Sequence, residues 1–197
     1  MIGVEIERRF LVDGRSHRPW IEQNEGVLTL AQVYLPDGCL VLDEGKFALS
    51  VQGQTLVEGI DHAAFKRIAA REGWAVRLRQ TGERGTLTLK AGRRGALAFE
   101  EEFDVELALV KEHLLDAACP SLVKSRYLFR GTDGRMWEID EFEGHLAGLI
   151  IAEVELEEEH ADVHLPDFLG MELTHCGPEW SSHGLASMAH RARHNGS

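Results

Sequence analysis

The stretch VEIERRFLV, Val4–Val12, alternates charged residues with mostly apolar ones, and the same alternation recurs along most of the chain. Because successive side chains of a β-strand point to opposite faces, Glu5, Glu7 and Arg9 would project together from one face. Ile6 would point to the other face and be available for packing. The stretch therefore predicts a strand with one charged face and one packed face.

Six further segments repeat this device, each with polar or charged residues two positions apart in an otherwise apolar strand. The solvated face of an ordinary antiparallel sheet would explain any single one of them. Seven such strands, most of them purely acidic or purely basic at these positions, instead predict that the charges face one compartment. The six further pairs are Arg77 and Arg79, Thr88 and Lys90, Glu100 and Glu102, Lys124 and Arg126, Glu138 and Asp140, and Glu153 and Glu155.

Period-two segments dominate the rest of the chain, so the fold is expected to be a strand-dominated α+β structure, either a barrel or a sandwich. The predicted strands are Val4–Val12, Leu28–Leu35, Phe47–Val51, Ala75–Gln80, Gly85–Ala91, Leu97–Val105, Leu122–Arg130, Met136–Phe142 and Leu149–Glu157. Helical spacing and helix punctuation predict three helices at Asp61–Gly73, Leu107–Cys119 and Trp180–His194. On the last of these, His183, His190 and His194 are expected to face solvent.

Composition excludes several classes of protein. No apolar run approaches the roughly 20 residues that cross a bilayer, and the N-terminus is charged, so we expect a cytoplasmic protein without a membrane partner. Cys39, Cys119 and Cys176 show no C-x-x-C spacing and predict three reduced thiols. A net charge of −12 without a surface Lys/Arg stripe argues against nucleic-acid binding.

The charged pairs suggest a specific chemistry. Clustered carboxylates are oxygen ligands for hard divalent cations, chiefly Mg²⁺ or Mn²⁺. Clustered Arg and Lys bind phosphate groups directly, Arg as a two-pronged donor and Lys as a compact charge. Both together suit a triphosphate substrate, because bound cations neutralise the phosphate oxygens and stabilise charge during phosphoryl transfer.

These motifs resemble the CYTH domain proteins, or triphosphate tunnel metalloenzymes. This family includes inorganic triphosphatases, thiamine triphosphatases and class IV adenylate cyclases. The resemblance covers nearly the whole chain and starts from an E-x-E-x-K signature, present here as EIERR. The other matching motifs follow in the family's order: RLR at 77–79, LTLK ending at Lys90, E-x-E at 100–102, KSRY at 124–127, EID at 138–140, AGLIIAEVEL at 147–156 and LPDFLGMELT at 165–174.

The resemblance implies a closed eight-stranded antiparallel β-barrel, a tunnel with flanking helices, formed by a single domain over 1–197 with a helical insertion at about 38–73. It also implies roles for individual residues. The catalytic candidates are Glu5, Glu7 and Lys90; the substrate-binding candidates are Arg9, Arg77, Arg79, Lys90, Lys124, Arg126, Glu100 and Glu102; the candidate metal ligands are Glu5, Glu7, Glu138, Asp140, Glu153 and Glu155.

The function predicted on this basis is hydrolysis of a small triphosphate, inorganic tripolyphosphate first, with Mg²⁺ or Mn²⁺, by a monomer or homodimer. Two alternatives stay open. A class IV-type adenylate cyclase would form cyclic AMP from ATP, and a non-catalytic protein would bind polyphosphate or nucleotide without cleaving it. Two departures from the family favour the binding protein: Arg9 stands where the signature has Lys, and Ala98 stands where many members have Arg.

Overall fold

The alternating segments form the strands of a computed structural model that describes residues 3–13, 15, 17–94, 97–158 and 160–195. Within these ranges, the side chains of residues 3–5, 92–94, 97 and 195 lie outside the description. The strands are β1 (Gly3–Val12), β2 (Asn24–Leu35), β3 (Leu40–Asp43), β4 (Ala48–Val51), β5 (Gln54–Val57), β6 (Ala75–Thr81), β7 (Arg84–Arg94), β8 (Leu97–Val105), β9 (Ser121–Arg130), β10 (Met136–Phe142), β11 (Ile150–Glu155) and β12 (Leu169–Glu172). The helices are α1 (Pro19–Glu22), α2 (His62–Ala69), α3 (Leu107–Leu114) and α4 (Ser182–Asn195), with short 3₁₀ turns at Gly144–Leu146 and Pro178–Trp180.

Nine strands form one antiparallel sheet in the order β11-β10-β9-β2-β6-β7-β8-β1-β12, and β11 pairs with β1 as well as with β10. A second, three-stranded sheet holds β3, β4 and β5. The strand-dominated α+β prediction is confirmed: a large antiparallel sheet with a few helices.

The apolar positions of the large sheet form its packed face. Leu78, Leu87 and Leu89 are completely buried, and they belong to the same core cluster as Phe65 and Ile68 of α2. Burial of a large apolar side chain contributes about 1.5–3 kcal/mol each, so this cluster anchors α2 against the sheet. These apolar residues alternate with the charged residues along each strand. Burial of the apolar side chains on one face of the sheet therefore places the charged side chains on the opposite face.

Helix α4 packs over one end of the charged side of the sheet. Its residues Leu185, Ala186 and Ala189 are buried in a cluster with Tyr34 and Phe142. The Tyr34 and Phe142 side chains lie on the same face of the sheet as the charged side chains. At this end, therefore, apolar residues replace charges at the inward positions, and α4 covers them. The first turn of α4 is thereby held beside the charged strands.

The structure also corrects several predicted elements. The second predicted helix ends at Leu114 rather than at Cys119, because the Asp116 side chain accepts a hydrogen bond from Ala118 N and forms a local turn instead. Between residues 38 and 73 the chain forms β3, β4 and β5 as well as the predicted helix. Strands β3, β5 and β12 and helix α1 are four residues long, too short for a periodic pattern to predict.

No helix among the described residues is both long and apolar enough to cross a membrane. The three cysteines are free thiols with different environments: Cys119 is buried, Cys39 is partly buried and Cys176 is exposed. Burial, together with the Asp116 carboxylate, raises the pKa of the Cys119 thiol to about 11.

Gly184 determines how closely α4 approaches the preceding turn. A Cβ atom at this position would lie 2.3 Å from Pro178 O and 2.7 Å from Glu179 Cα. We expect Gly184→Ala to destabilise the protein by about 1–3 kcal/mol, although the same change in an exposed helix usually stabilises it. Thermal unfolding should show a fall of several degrees in Tm, and Ser187→Ala on the same helix is the control. A higher Tm for Gly184→Ala would contradict this packing.

Candidate active site

The charged faces of the strands enclose a cavity of about 970 Å³. Of the predicted site residues, Asp140 is completely buried beside this cavity, and the side chain of Glu5 lies outside the described residues. All the others line it: Glu7, Arg9, Arg77, Arg79, Lys90, Glu100, Glu102, Lys124, Arg126, Glu138, Glu153 and Glu155. Because these side chains point to the same face of the sheet, residues from seven strands meet in one cavity.

Strand register sets which charges face each other. Glu7 lies opposite Glu155, and Arg9 lies opposite Glu153, across the β1–β11 pair. Glu153 also lies opposite Glu138 across the β10–β11 pair. Directly opposed side chains have Cβ atoms roughly 4.5–5.5 Å apart, so these carboxylates repel unless a cation lies between them.

Arg126 is the cation that lies among three of these carboxylates. It donates to Asp140 Oδ1 from Nε and to Asp140 Oδ2 from Nη2, both at 2.7 Å, and to Glu153 Oε2 at 2.9 Å. It also forms an ion pair with Glu138. Burial alone would lower the pKa of Arg126, but Asp140, Glu153 and Glu138 raise it well above its usual value. Arg126 is therefore a permanent charge held in one orientation.

Lys124, two residues earlier on β9, is also buried and forms an ion pair with Asp140. Burial, followed by repulsion from Arg126, lowers the pKa of Lys124 to about 8, although Asp140 and Glu153 oppose the shift. Both oxygens of Asp140 are thus engaged by cations. Further negative charge in the cavity would favour the charged form of Lys124.

Arg9 extends the same network toward the start of α4. Its Nε donates to Glu153 Oε1 at 2.7 Å and its Nη1 donates to Trp180 O at 2.7 Å. Its Nη2 is buried and has no hydrogen-bond partner among the described atoms. Burial would raise the pKa of Glu153, but the positive charges of Arg9, Lys124 and Arg126 outweigh this effect and hold the pKa well below its usual value. Glu153 therefore stays ionised.

A second network lies on β6, β7 and β8. Arg77 Nη2 donates to Thr88 Oγ1 at 2.9 Å and to Glu100 Oε1 at 3.2 Å, and Thr88 Oγ1 donates to Glu102 Oε1 at 2.8 Å. Lys90 Nζ lies 2.8 Å from Glu100 Oε2. The side chains of Lys90 and Glu102 are 29% and 48% exposed, so this network leads from the buried cations to solvent.

Arg79 differs from the other cations because it forms no ion pair among the described residues. Its Nε is buried without a hydrogen-bond partner in that part of the chain. Burial, followed by repulsion from Arg77 and Arg126, lowers the pKa of Arg79. A partly buried cation with a buried, unsatisfied N–H and no ion pair among the described residues indicates a place where the protein binds an anion.

The acidic end of the cavity lies at Glu7 and Glu155. Among the described residues, the Glu155 side chain has neither a hydrogen bond nor an ion pair, and Glu7 Oε1 lies 4.0 Å from Arg9 Nε. Within that same part of the chain, no three Asp, Glu, His or Cys side chains are close enough to hold a metal ion. Two facing carboxylates nevertheless supply the oxygen donors that Mg²⁺ and Mn²⁺ prefer, so the donor chemistry fits such an ion.

Among the cavity residues that the sequence patterns missed are Tyr34 and His183. The expectation that His183 faces solvent is wrong: it is partly buried, lines the cavity and stacks on Tyr34, with ring centroids 4.7 Å apart. The Tyr34 hydroxyl accepts a hydrogen bond from Gln32 Nε2 at 2.9 Å. The alternation along β2 places the Tyr34 side chain on the same face as the charged residues, so its position was predictable. The position of His183 depends on how α4 docks, and no sequence pattern indicates it.

The arrangement can hold a compact polyanion. Its cations run from the buried Lys124 and Arg126 through Arg77 and Arg79 to the partly exposed Lys90, and most are paired with carboxylates that a ligand could replace. A hard cation at the facing carboxylates would add positive charge at one end. The site therefore suits a chain of phosphates together with a divalent ion.

Comparison with known proteins supports this interpretation. A family model described as the CYTH domain matches residues 61–177, over half of the chain. A protein named inorganic triphosphatase from Acetivibrio thermocellus is 38% identical over 175 residues, which are 88% of this chain and 87% of the relative. A second, from Nitrosomonas europaea, is 34% identical over 103 residues, which are 50% of this chain and 66% of the relative.

Solved structures agree at the level of the fold. The crystal structure of the inorganic triphosphatase NE1496 gives a TM-score of 0.55, with 94% of this chain and 95% of that chain covered at 24% identity. The family model and the long alignment with the Acetivibrio thermocellus protein both include the strands that carry the charged pairs from Arg77 to Glu155. The chain therefore belongs to the CYTH domain family.

Proposed function

We propose that this chain is a metal-dependent triphosphatase that hydrolyses inorganic tripolyphosphate in the charged cavity. The observation that carries the proposal is the group of buried cations in a protein with a net charge of −12. Arg77, Lys124 and Arg126 are each at most 8% exposed and line one cavity. The two relatives named inorganic triphosphatase support hydrolysis as the reaction.

The cations would bind the substrate by exchanging partners. Arg77 and Lys90 are paired with Glu100 before substrate binds, and phosphate oxygens accept the same charge-assisted hydrogen bonds. Arg79 forms no ion pair among the described residues, so it would bind phosphate without first losing an interaction with a carboxylate. The acidic partners keep the empty cavity from accumulating positive charge and orient the guanidinium groups in advance.

Enzymes of the CYTH family are metal-dependent in general, and we propose Mg²⁺ or Mn²⁺ at the end of the cavity where Glu7 faces Glu155. Glu138 and Glu153 lie beside this pair, and Glu5 is the further predicted ligand on β1. The ion would supply Lewis-acid stabilisation of the phosphate charge and would polarise bound water. We assign Asp140 a different role: with both oxygens bonded to Lys124 and Arg126, it orients these two cations.

The protein's own residues contribute mainly electrostatic stabilisation in this proposal. Arg126 holds a fixed charge among three carboxylates and needs no reorganisation to stabilise negative charge on a phosphoryl group. Lys90, at the more exposed end, would neutralise the departing phosphate. Arg9 stays protonated at any ordinary pH, so it binds phosphate and transfers no proton.

Several finer features stay predictions. We propose that the pairing of β11 with β1 closes eight strands into a tunnel, with β12 lying outside that ring. We also propose one domain over 1–197, with the segment at about 38–73 as an insertion, a monomeric or homodimeric state and a cytoplasmic location.

The reaction is tested by measuring phosphate release from tripolyphosphate, pyrophosphate, ATP and thiamine triphosphate with Mg²⁺, Mn²⁺ or a chelator. We expect metal-dependent release from tripolyphosphate, because the cavity lining carries cations that suit phosphate groups and, at Glu7 and Glu155, oxygen donors that suit a divalent ion. Cyclic AMP formed from ATP would instead establish the cyclase, and tight binding without release would establish the non-catalytic protein.

The facing carboxylates are tested by Glu7→Gln and Glu155→Gln, each of which removes one charge from the proposed metal site. We expect a more than tenfold fall in kcat and a higher metal concentration for half-maximal activity, because removing a charged ligand weakens binding of a hard cation. Glu25→Gln, at an exposed ion pair with Arg130, is the matched control. An unchanged metal titration in both variants would remove Glu7 and Glu155 from the metal site.

Arg126, which has carboxylate partners, and Arg79, which forms no ion pair among the described residues, predict opposite effects on stability. Arg126→Gln would remove the cation that Asp140, Glu153 and Glu138 share and should destabilise the protein by about 3–5 kcal/mol. Arg79→Gln removes a charge with no carboxylate partner among the described residues and should leave Tm unchanged or higher, while weakening tripolyphosphate binding at least tenfold. Thermal unfolding and calorimetric titration measure both effects, and a large fall in Tm for Arg79→Gln with normal binding would show a structural role instead.

A further inference from the structure

The start of α4 forms one end of the active-site cavity. Ser181, Ser182 and His183 line the cavity together with Pro178 of the preceding turn. The Ser181 side chain caps the helix by accepting a hydrogen bond from Gly184 N at 3.0 Å. The amides of Ser182 and His183 belong to the first turn and have no acceptor within the helix. They add to the positive end of the dipole of a 14-residue helix.

Two arginines that line the same cavity each have a buried N–H group without an acceptor among the described atoms. Arg9 is 3% exposed, lines the cavity and is held there by its hydrogen bond to Trp180 O, two residues before α4. Its Nη2 has no acceptor among the described atoms, and neither does the buried Nε of Arg79. Strands β1 and β6 thus each place a residue with an unsatisfied donor in the lining of the cavity that the helix start also lines.

Tyr34 and His183 complete this group of donors. Because the Tyr34 hydroxyl accepts its hydrogen bond from Gln32, its own proton is free to be donated. His183 stacks on Tyr34 with an angle of 15° between the rings, which holds the imidazole at the cavity wall. An imidazole always carries at least one N–H donor. Donors from four elements therefore converge on one space.

Apolar residues close this end of the cavity. Behind the donors, Leu185 and Ala186 of α4 are at most 1% exposed and pack with Leu122, Phe142 and Ile151. The space under α4 therefore offers hydrogen bonds to a terminal anionic group and no passage beyond it. A phosphate that carries an ester-linked organic group would have to displace this packed layer.

We propose that His183 and the start of α4 form a binding subsite for an unesterified terminal phosphate, and that this subsite restricts substrates to triphosphates with at least one free end. This inference rests on the proposed triphosphatase function and adds a specificity residue to it. The organic group of a mono-esterified triphosphate would lie at the opposite, more exposed end of the cavity, near Lys90. Triphosphates esterified at both ends would be excluded.

His183→Phe tests the subsite because it keeps a ring against Tyr34 and removes the N–H donors. We expect the Kd for tripolyphosphate and the KM to rise about tenfold, since a hydrogen bond to a charged group is lost, while kcat changes much less. His183→Gln restores an N–H donor and should recover part of the affinity. His190→Phe, on the same helix outside the cavity lining, is the control and should bind as the unaltered protein does.

A second arm compares ATP, esterified at one end, with a dinucleoside triphosphate, esterified at both ends, as competitors of tripolyphosphate binding. We expect the dinucleoside compound to compete at least tenfold more weakly. Equal competition, or unchanged affinity in His183→Phe at an unchanged Tm, would overturn the subsite and leave the triphosphatase proposal standing. If the unaltered protein neither binds nor cleaves tripolyphosphate, both proposals fail.

Discussion

The bonding of Arg126 to Asp140, Glu153 and Glu138 is the interaction on which the rest of the site depends. Three carboxylates on neighbouring strands would repel one another, and burial would favour their neutral forms. One delocalised cation with five donors in a fixed plane offsets this repulsion and fixes the three carboxylates in place. The same bonds orient Arg126 toward the cavity, so that the charge a polyphosphate needs is already present before it binds.

The constraint behind this network is the alternation of side chains along a strand. Apolar residues such as Leu78 and Leu87 must be buried, and their burial places Arg77 and Arg79 on the opposite side of the sheet. The hydrophobic effect thus places like charges close together, and carboxylates or a ligand opposite them offset their mutual repulsion. This arrangement gives a protein with a net charge of −12 a small region of positive charge inside the cavity.

Most of the fold and the site follows from local patterns, and the parts that do not have identifiable reasons. Nine of the observed strands were predicted, and eight of these are at least six residues long, so that a period of two is visible; the ninth, β4, has four residues and was predicted from its apolar run. The strands β3, β5 and β12 were not predicted, because they are equally short and none of their residues is fully buried, so that no alternation of buried and exposed side chains marks them. The cavity-lining role of His183 was missed since it depends on the docking of α4, which rests on long-range apolar packing rather than on any motif.

The sequence by itself determined which residues share a face of each strand, and hence that Glu, Arg and Lys from seven strands would meet. It also determined the family, since the charged pairs occur in the order that the CYTH domain requires. Only the tertiary structure decided which opposite charges pair, because strand register places Glu153 between Arg9 and Arg126 and leaves Arg79 without a described carboxylate partner. Register and helix docking are set by contacts between residues far apart in the chain, and such contacts leave no periodic signal in a single sequence.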